Sequence, residues 1–202
     1  MKTIMKTKRA ILTTLFLTLF VLAFSQSQLK YDDAPEHLMF NNMPMNGGIG
    51  AFANKLTEQG FTLVGVSANL ADFSGKLNGK ECTLTVYGTE KTKNVYNVIV
   101  YFMPEEKNWL SVKKEYLELK KIYQTKYGTG SSIESFSLPY AEGDGNEMDA
   151  VKDMKCTYST EWKSDSGKIV IMITYDGQTA IDYKDTTNEL KYKSEKSTDD
   201  GW

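Results

Sequence analysis

Few side chains in this sequence are of the types that usually carry out catalysis. His37 is the single histidine, and Cys82 and Cys156 are the only cysteines. Nucleophilic catalysis needs a base within hydrogen-bonding reach of the nucleophile, and a zinc site needs histidines or cysteines at short spacings. His37 is far from both cysteines in the sequence, although folding could bring them close. We therefore predict no catalytic residue, no metal and no cofactor, and we interpret His37 as a surface or capping residue.

One cluster of carboxylates remains, in the glycine-rich stretch Glu142-Gly-Asp-Gly-Asn-Glu-Met-Asp149. Calcium prefers oxygen ligands, but this stretch lacks the ordered spacing of a calcium loop. A pair of carboxylates also suffices for glycosidase chemistry, and any acidic protein supplies such a pair. We interpret the stretch as a solvated loop and keep calcium binding and carboxylate-dependent hydrolysis as alternatives.

Four aromatic residues are candidates for a binding surface: Tyr87, Tyr101, Tyr158 and Trp162. All four lie in segments that alternate like β-strands, in which successive side chains point to opposite faces of the sheet. A sheet with one bare face can present such side chains to a partner. The alternative is that they pack beneath a helix.

Two helices are predicted to lie over these strands. The first carries the apolar stripe Ile49, Phe52, Ala53 and Leu56, with Asn46 as its N-cap and Gly60 as its end. The second covers about residues 107–127 and ends at Gly128. Its apolar seam is Trp109, Val112, Tyr116, Leu119 and Tyr123, and Leu110, Leu117 and Ile122 are predicted to widen it.

The strands are punctuated by turn residues, with Asn78-Gly79 the strongest hairpin signal. Residues 94–102 form the most strand-like run. Tyr96, Val98, Val100 and Phe102 are predicted to share one face, and Val95, Ile99 and Tyr101 the other. Because both faces are largely apolar, we predict a central strand that is covered on both sides.

The order helix, glycine, then about four strands occurs twice. It predicts an α+β fold of two tandem helix-plus-antiparallel-sheet repeats that form one compact body. The predicted boundaries are a signal peptide over 1–25, a flexible N-terminal segment over 26–39, repeats over 40–103 and 104–186, and a polar tail over 187–202. The tail is either a frayed helix or disordered.

The N-terminus predicts export. Lys2, Lys6, Lys8 and Arg9 precede the uncharged run 10–24, which is shorter than the roughly 20 apolar residues of a membrane-spanning helix. We predict cleavage before Gln26, with Ser25-Gln26-Ser27 as the second candidate site, and a periplasmic or secreted protein; the alternative is a membrane anchor. No later segment is apolar enough to cross a bilayer. Removing these four basic residues from 24 leaves 20 against 26 acidic ones and no arginine, which disfavours nucleic-acid binding and phosphoryl transfer.

In an exported chain, two cysteines in strand-like sequence predict one disulfide between Cys82 and Cys156. Each cysteine strand is followed by a polar hairpin and a β-rich strand. In two equivalent repeats the cysteines would then occupy matching positions and could meet where the repeats join. The alternative is a pair of buried free thiols.

The segment Phe40-Asn-Asn-Met-Pro-Met-Asn-Gly47, with Phe52, Lys55-Leu56 and Gly60-Phe61 behind it, resembles a group of uncharacterised secreted proteins of Gram-negative gut bacteria. The likeness continues through Lys126-Tyr127-Gly128, both cysteines and the acidic tail. Members often have an acid where Asn46 stands. The resemblance implies no functional residues, and the two-repeat layout is similar to that of the β-lactamase-inhibitor protein fold.

Taken together, these features predict an exported, non-catalytic binding or interaction protein of unknown ligand. Its partner would be an extracytoplasmic protein or a glycan. The alternative is a carboxylate-dependent hydrolase of the periplasm.

Overall fold

The computed structural model describes residues 36–197, so the predicted signal peptide lies outside the described residues. The elements in chain order are β1 (Met39–Phe40), β2 (Met43–Pro44), α1 (Ile49–Glu58), β3 (Thr62–Ser67), β4 (Leu70–Leu77), β5 (Lys80–Gly88), β6 (Val95–Phe102), α2 (Trp109–Tyr127), β7 (Ser131–Phe136), α3 (Glu147–Lys152), β8 (Cys156–Ser164), β9 (Gly167–Ile173), β10 (Thr179–Asp185) and α4 (Thr186–Ser197). The chain is an α+β protein, as predicted.

Eight strands form one antiparallel sheet in the order β3-β4-β5-β6-β10-β9-β8-β7, and β1 pairs with β2 in a separate hairpin. Each four-strand segment, β3–β6 and β7–β10, is a meander of sequential neighbours. The two meanders join in the middle, where β6 pairs with β10. Consequently β3 and β7 are the edges of the sheet.

One face of this sheet, here called the covered face, lies beneath α1 and α2. The cross-strand register places one set of buried side chains on it: Phe73, Leu84, Val100, Ile181, Ile171 and Thr160. The ring of Phe40 bridges α1 to the sheet, because it lies 6.3 Å from Phe52 and 5.0 Å from Tyr183. Apolar burial of this extent is the main stabilising contribution to such a fold.

Helix α1 confirms the predicted stripe but not the predicted cap. Ile49, Phe52 and Leu56 are buried, yet the N-cap is Gly48, with no side-chain cap bond. The N–H of Ile49 instead donates to the carbonyl of Lys93, 2.9 Å away in the β5–β6 connection. A backbone carbonyl from another element therefore satisfies a helix N-terminal amide, so Asn46 is not needed for that role.

Helix α2 is held by the predicted seam, since Trp109, Val112, Tyr116, Leu119 and Tyr123 are all buried. Asn108 caps it by accepting a hydrogen bond from the Ser111 N–H at 2.9 Å. The predicted widening of the seam is wrong. Leu110, Leu117 and Ile122 are exposed, because α2 contacts the sheet along a narrow stripe.

A β-bulge changes the predicted faces at the start of β6. Tyr87 pairs with Asn97 and Gly88 pairs with Val95, so Tyr96 is the extra residue. The bulge reverses the alternation at this point. Val95 is therefore fully buried, whereas Tyr96 is half-buried and stacks on Tyr192 of α4 with the ring centroids 4.3 Å apart.

The residues before β1 and after β10 are tied together by one buried carboxylate. Asp185 accepts hydrogen bonds from the Leu38 N–H at 2.7 Å and the Asn188 N–H at 2.8 Å, and His37 Nδ1 lies 3.2 Å from both of its oxygens. The bond to Asn188 caps α4. This contact anchors the end of the predicted flexible segment, and the described part of the predicted tail, residues 187–197, is helical.

Candidate functional site

The opposite face of the sheet, here called the open face, has neither α1 nor α2 over it. Its side chains form rows that run across the strands. The register defines a neutral row of eight uncharged residues, one from each strand: Thr62, Ser74, Thr83, Tyr101, Ala180, Met172, Ser159 and Ile133. Seven of these residues are at least partly exposed and Ala180 is buried, so the row presents uncharged surface on either side of Ala180.

Charged residues lie in two adjacent rows. The acidic row contains Asp72, Asp182 and Glu161, and the lysine row beyond it contains Lys184, Lys168 and Lys163. Asp182 and Glu161 each lie beside a lysine, whereas Asp72 is held by a hydroxyl. Lys184 lies 3.5 Å from Asp182, Lys163 lies 2.8 Å from Glu161, and the Thr85 hydroxyl donates to Asp72 at 2.6 Å. The open face therefore consists of a neutral row, an acidic row and a lysine row, and most of its charged side chains lie beside an opposite charge.

A cleft of about 740 Å³ lies along the neutral row. The turn between β9 and β10 forms one wall, and the sheet forms its floor. Its lining is Thr83, Thr85, Tyr101, Val151, Met154, Cys156, Thr157, Met172, Ile173, Thr174, Tyr175, Asp176 and Gln178. Asp176 is the one charged residue of this lining. Hydroxyl and amide groups that donate and accept hydrogen bonds lie beside an aromatic ring and apolar side chains, which suits an uncharged polar ligand.

The phenols of the open face stay protonated at neutral pH. Burial raises the pKa of Tyr101 and of Tyr87, and the nearby carboxylates Asp72, Asp176 and Asp182 raise these pKa values further. A neutral phenol can donate as well as accept a hydrogen bond. Both rings are half-buried, so part of each ring is available to a ligand.

The structure separates the four aromatic residues predicted to form one surface. Tyr87 and Tyr101 lie on the open face. Tyr158 and Trp162 lie on the covered face, with exposed fractions of 3% and 7%. Tyr158 packs edge-on against Trp109, and the Trp162 indole N–H donates to the Gly128 carbonyl at 2.8 Å. The prediction of a shared surface is wrong for this second pair, because their strand places them under α2.

The predicted disulfide is not formed. Cys82 and Cys156 are both free thiols, on β5 and β8. Three strands lie between β5 and β8, which at about 4.8 Å per strand separates the cysteines by roughly 19 Å, far beyond the about 7 Å limit for a disulfide. Cys82 lies in the third strand of its meander and Cys156 in the second, so their positions do not match. Burial raises the pKa of each thiol to about 11, which makes both poor nucleophiles.

The acidic loop is held by protein donors rather than arranged around a cation. Glu142 accepts hydrogen bonds from Lys113 and from the Tyr158 hydroxyl, and these bonds, the one from Lys113 foremost, lower its pKa. Asp144 and Glu147 accept backbone N–H groups of the loop itself. Over residues 36–197, no group of three or more His, Cys, Asp or Glu side chains is placed to hold a metal ion.

Sequence reasoning missed one feature of this site and one buried residue outside it. The turn residues Tyr175 and Asp176 gave no local signal of a cleft wall, because the wall exists only once β9 and β10 are paired. The buried Asp185 was also missed, although an acid directly before a helical segment is a signal for an N-cap. His37, predicted to be a surface or capping residue, is part of that cap, and its side chain is mostly buried.

None of the helices formed by residues 36–197 combines the length and the apolar character needed to cross a membrane. Comparison of the chain with protein families, with curated proteins and with solved structures finds no match.

Proposed function

We propose that this chain is an exported, non-catalytic binding protein whose ligand lies on the open face of the sheet. The observation that carries the proposal is the 740 Å³ cleft beside Tyr101, on a sheet whose other face is fully used for the core. An exposed surface in which apolar and aromatic side chains are bordered by polar groups often marks an interaction site.

The chemistry of the neutral row favours an uncharged ligand of the glycan type. Thr83 and Thr85 offer hydroxyls, Gln178 offers an amide, and Tyr101 offers a ring on which the C–H face of a sugar can stack. A strongly anionic ligand would meet Asp176 with no lysine in the lining to balance it. An extracytoplasmic protein is the other ligand class that suits such a face.

The cleft gives no support to the hydrolase alternative. Hydrolysis by carboxylates needs two of them converging on one bond, and the lining of this cleft supplies Asp176 alone. Glu147 and Asp149 line a second hollow beside Trp109, but Glu147 accepts a loop N–H at 2.7 Å and Asp149 lies 3.5 Å from Lys152.

We further propose that residues 40–103 and 104–186 are two repeats. Each helix, α1 or α2, is followed by a four-strand meander, and the last strands of the meanders meet at the centre of the sheet. Because β6 and β10 are antiparallel, a two-fold axis perpendicular to the sheet between them would exchange the halves and leave both helices on the covered face. Export and periplasmic or secreted localisation rest on the basic and apolar N-terminal sequence.

The test is binding by the full chain expressed in a Gram-negative host and purified from the periplasm or medium. The intact mass reports whether 25 residues have been removed. The purified protein is then presented to a panel of neutral and anionic polysaccharides and to envelope extract. Thr83→Lys places a charged side chain in the cleft, and Thr57→Lys, on the exposed side of α1, is the matched control.

We expect a neutral polysaccharide to bind the wild type and Thr57→Lys but not Thr83→Lys. A protein retained in the same variant-dependent way would support the open face and overturn the glycan assignment. Equal binding by all three proteins, or no binding to any sample, would overturn the proposed function.

A further inference from the structure

The two edges of the sheet differ in how they are protected from pairing with another strand. Edge strand β7 carries Glu134, which accepts hydrogen bonds from Lys120 at 2.6 Å and the Tyr116 hydroxyl at 3.1 Å. A charged side chain and its contacts with α2 therefore disfavour pairing of another strand with β7. Edge strand β3 has the sequence Thr-Leu-Val-Gly-Val-Ser and no charge. Natural sheets usually place charges or prolines on exposed edges, because unpaired backbone groups there recruit other strands.

Large apolar side chains are also unusually exposed on β3. Leu63, Val64 and Val66 have exposed fractions of 46%, 68% and 66%. Within residues 36–197, nothing pairs with the outer side of this strand. Apolar side chains beside unsatisfied backbone donors and acceptors are the combination that an added strand would bury and satisfy.

From this we propose that β3 pairs with β3 of a second copy of the chain, as antiparallel strands about a two-fold axis perpendicular to the sheet. Strand β3 has a β-bulge at Val64, because Leu63 pairs with Phe73 and Gly65 pairs with the adjacent Asp72. This bulge allows the strand to pair with a copy of itself. Leu63 pairs with Phe73 and Val66 pairs with Ala71, and both partners lie on the covered face. Leu63 and Val66 are three positions apart, yet they share a face because the bulge adds one residue.

A register that sets Leu63 opposite Val66 of the second copy therefore keeps apolar against apolar on the covered side. The same register sets Thr62 opposite Ser67, hydroxyl against hydroxyl, on the open side. Val64 then faces Gly65, which has no side chain to obstruct it. The pattern is self-complementary at every position, as an isologous two-fold interface requires.

Pairing of six residues on each chain gives an interface at the small end of specific contacts, so the dimer should dissociate on dilution. The absence of charge from β3 means that no like charges are brought together by the two-fold axis. Two copies joined in this way form one sheet of 16 strands, because each copy contributes eight.

The test is sedimentation of the full chain over a wide concentration range. Val64→Lys puts a charge on the outer side of β3, and Ile133→Lys makes the same change at an exposed position of β7. We expect reversible dimers for the wild type and Ile133→Lys, and dimer dissociation constants at least about tenfold higher for Val64→Lys. Monomers throughout, or dimers equally stable in all three proteins, would overturn the proposal.

The register has its own test. In a Cys156→Ser background, the double variant Leu63→Cys with Val66→Cys should oxidise to a covalent dimer, because each cysteine faces its counterpart across the axis. Each single variant places its cysteine opposite a native apolar residue and should stay unlinked. Equal dimer formation by single and double variants would overturn the register, and circular dichroism of each variant checks that the chain is folded.

Discussion

On the covered face, Phe102, Val100 and Leu84 are excluded from solvent, whereas Tyr101, Ile99 and Thr85 one residue away remain half-exposed. The strands are the same, and their residues are strongly β-forming on both sides. The difference lies in α1, α2 and the β1–β2 hairpin, which cover only one face. The covered face therefore stabilises the fold, and the open face is the one on which we propose that a ligand binds.

The largest effect on stability is expected from truncating a buried side chain on the covered face. Phe102→Ala removes a fully buried ring from the central strand and leaves a cavity. We expect the free energy of unfolding to fall by about 3–5 kcal/mol, measured by urea denaturation. A loss below about 1 kcal/mol would mean that the helices do not close this face.

The second test concerns Asp185, whose carboxylate joins the segment before β1 to the start of α4. Asp185→Asn replaces a carboxylate that holds the Leu38 N–H near the β1–β2 hairpin and the Asn188 N–H of α4. The amide of asparagine has one acceptor oxygen where the carboxylate has two, so one of these N–H groups loses its acceptor. We expect the free energy of unfolding to fall by about 2–3 kcal/mol. The exposed Asp176→Asn is the control and should change stability by less than about 0.5 kcal/mol. Similar losses in both variants would contradict the role given to Asp185.

Truncation on the open face should have a smaller effect on stability. Tyr101→Ala removes a half-buried ring that no helix covers, and we expect a loss of about 1 kcal/mol or less in the same denaturation experiment. Binding of the ligand should be lost in this variant. If Tyr101→Ala destabilises the protein as much as Phe102→Ala, the two faces are equivalent and the open face is part of the core.

The smallest effect is a pH-dependent one at the rim of the covered face. Burial raises the pKa of Glu115, and one of its oxygens is buried without a hydrogen-bond partner. The folded state then binds this proton more tightly than the unfolded state, so the contribution favours folding at low pH and is lost as the pH rises through the folded-state pKa. Glu115→Gln should therefore become more stable relative to wild type as the pH rises from 4 to 7.

Glu118 is the matched control for that titration. It shares the partner Lys80, but the hydrogen bond from Lys80 lowers its pKa. Its contribution is present at neutral pH and is lost as the pH falls through the folded-state pKa, so Glu118→Gln should show the opposite trend. Parallel pH profiles of the two variants would contradict the environments described for these carboxylates.

Local sequence signals predicted most of the elements and little of their arrangement. The Asn78-Gly79 turn is present with both residues at positive φ, and the alternation of Cys82, Leu84 and Val86 matches a buried strand face. These signals depend on neighbours in the chain. The exposure of Leu110 depends instead on how narrowly α2 contacts the sheet, which no local periodicity records.

The site was harder to predict because it depends on register and strand order. One extra residue at Tyr96 exchanged the faces of Val95 and Tyr96, and a bulge of this kind leaves no sequence signature. Tyr158 and Tyr101 have the same alternating pattern around them, and only the strand order shows that they lie on opposite faces. The prediction for the cysteines was wrong for a similar reason, since the shared order of cysteine strand, polar hairpin and β-rich strand placed them in equivalent strands.

The position of β10 has a consequence for how the molecule assembles. It is the last strand in chain order within residues 36–197, yet it occupies the middle of the sheet beside β6, from which it is separated by about 80 residues of chain. Before β10 is in place, the apolar strands β6 and β9 have no partner on the sides where β10 will pair. Strand pairing between residues so far apart in the sequence is slow. A chain truncated before Thr179 should therefore not fold and should aggregate instead. Protection of incomplete chains from aggregation then matters more for this protein than for one in which the last strand lies at the edge of the sheet.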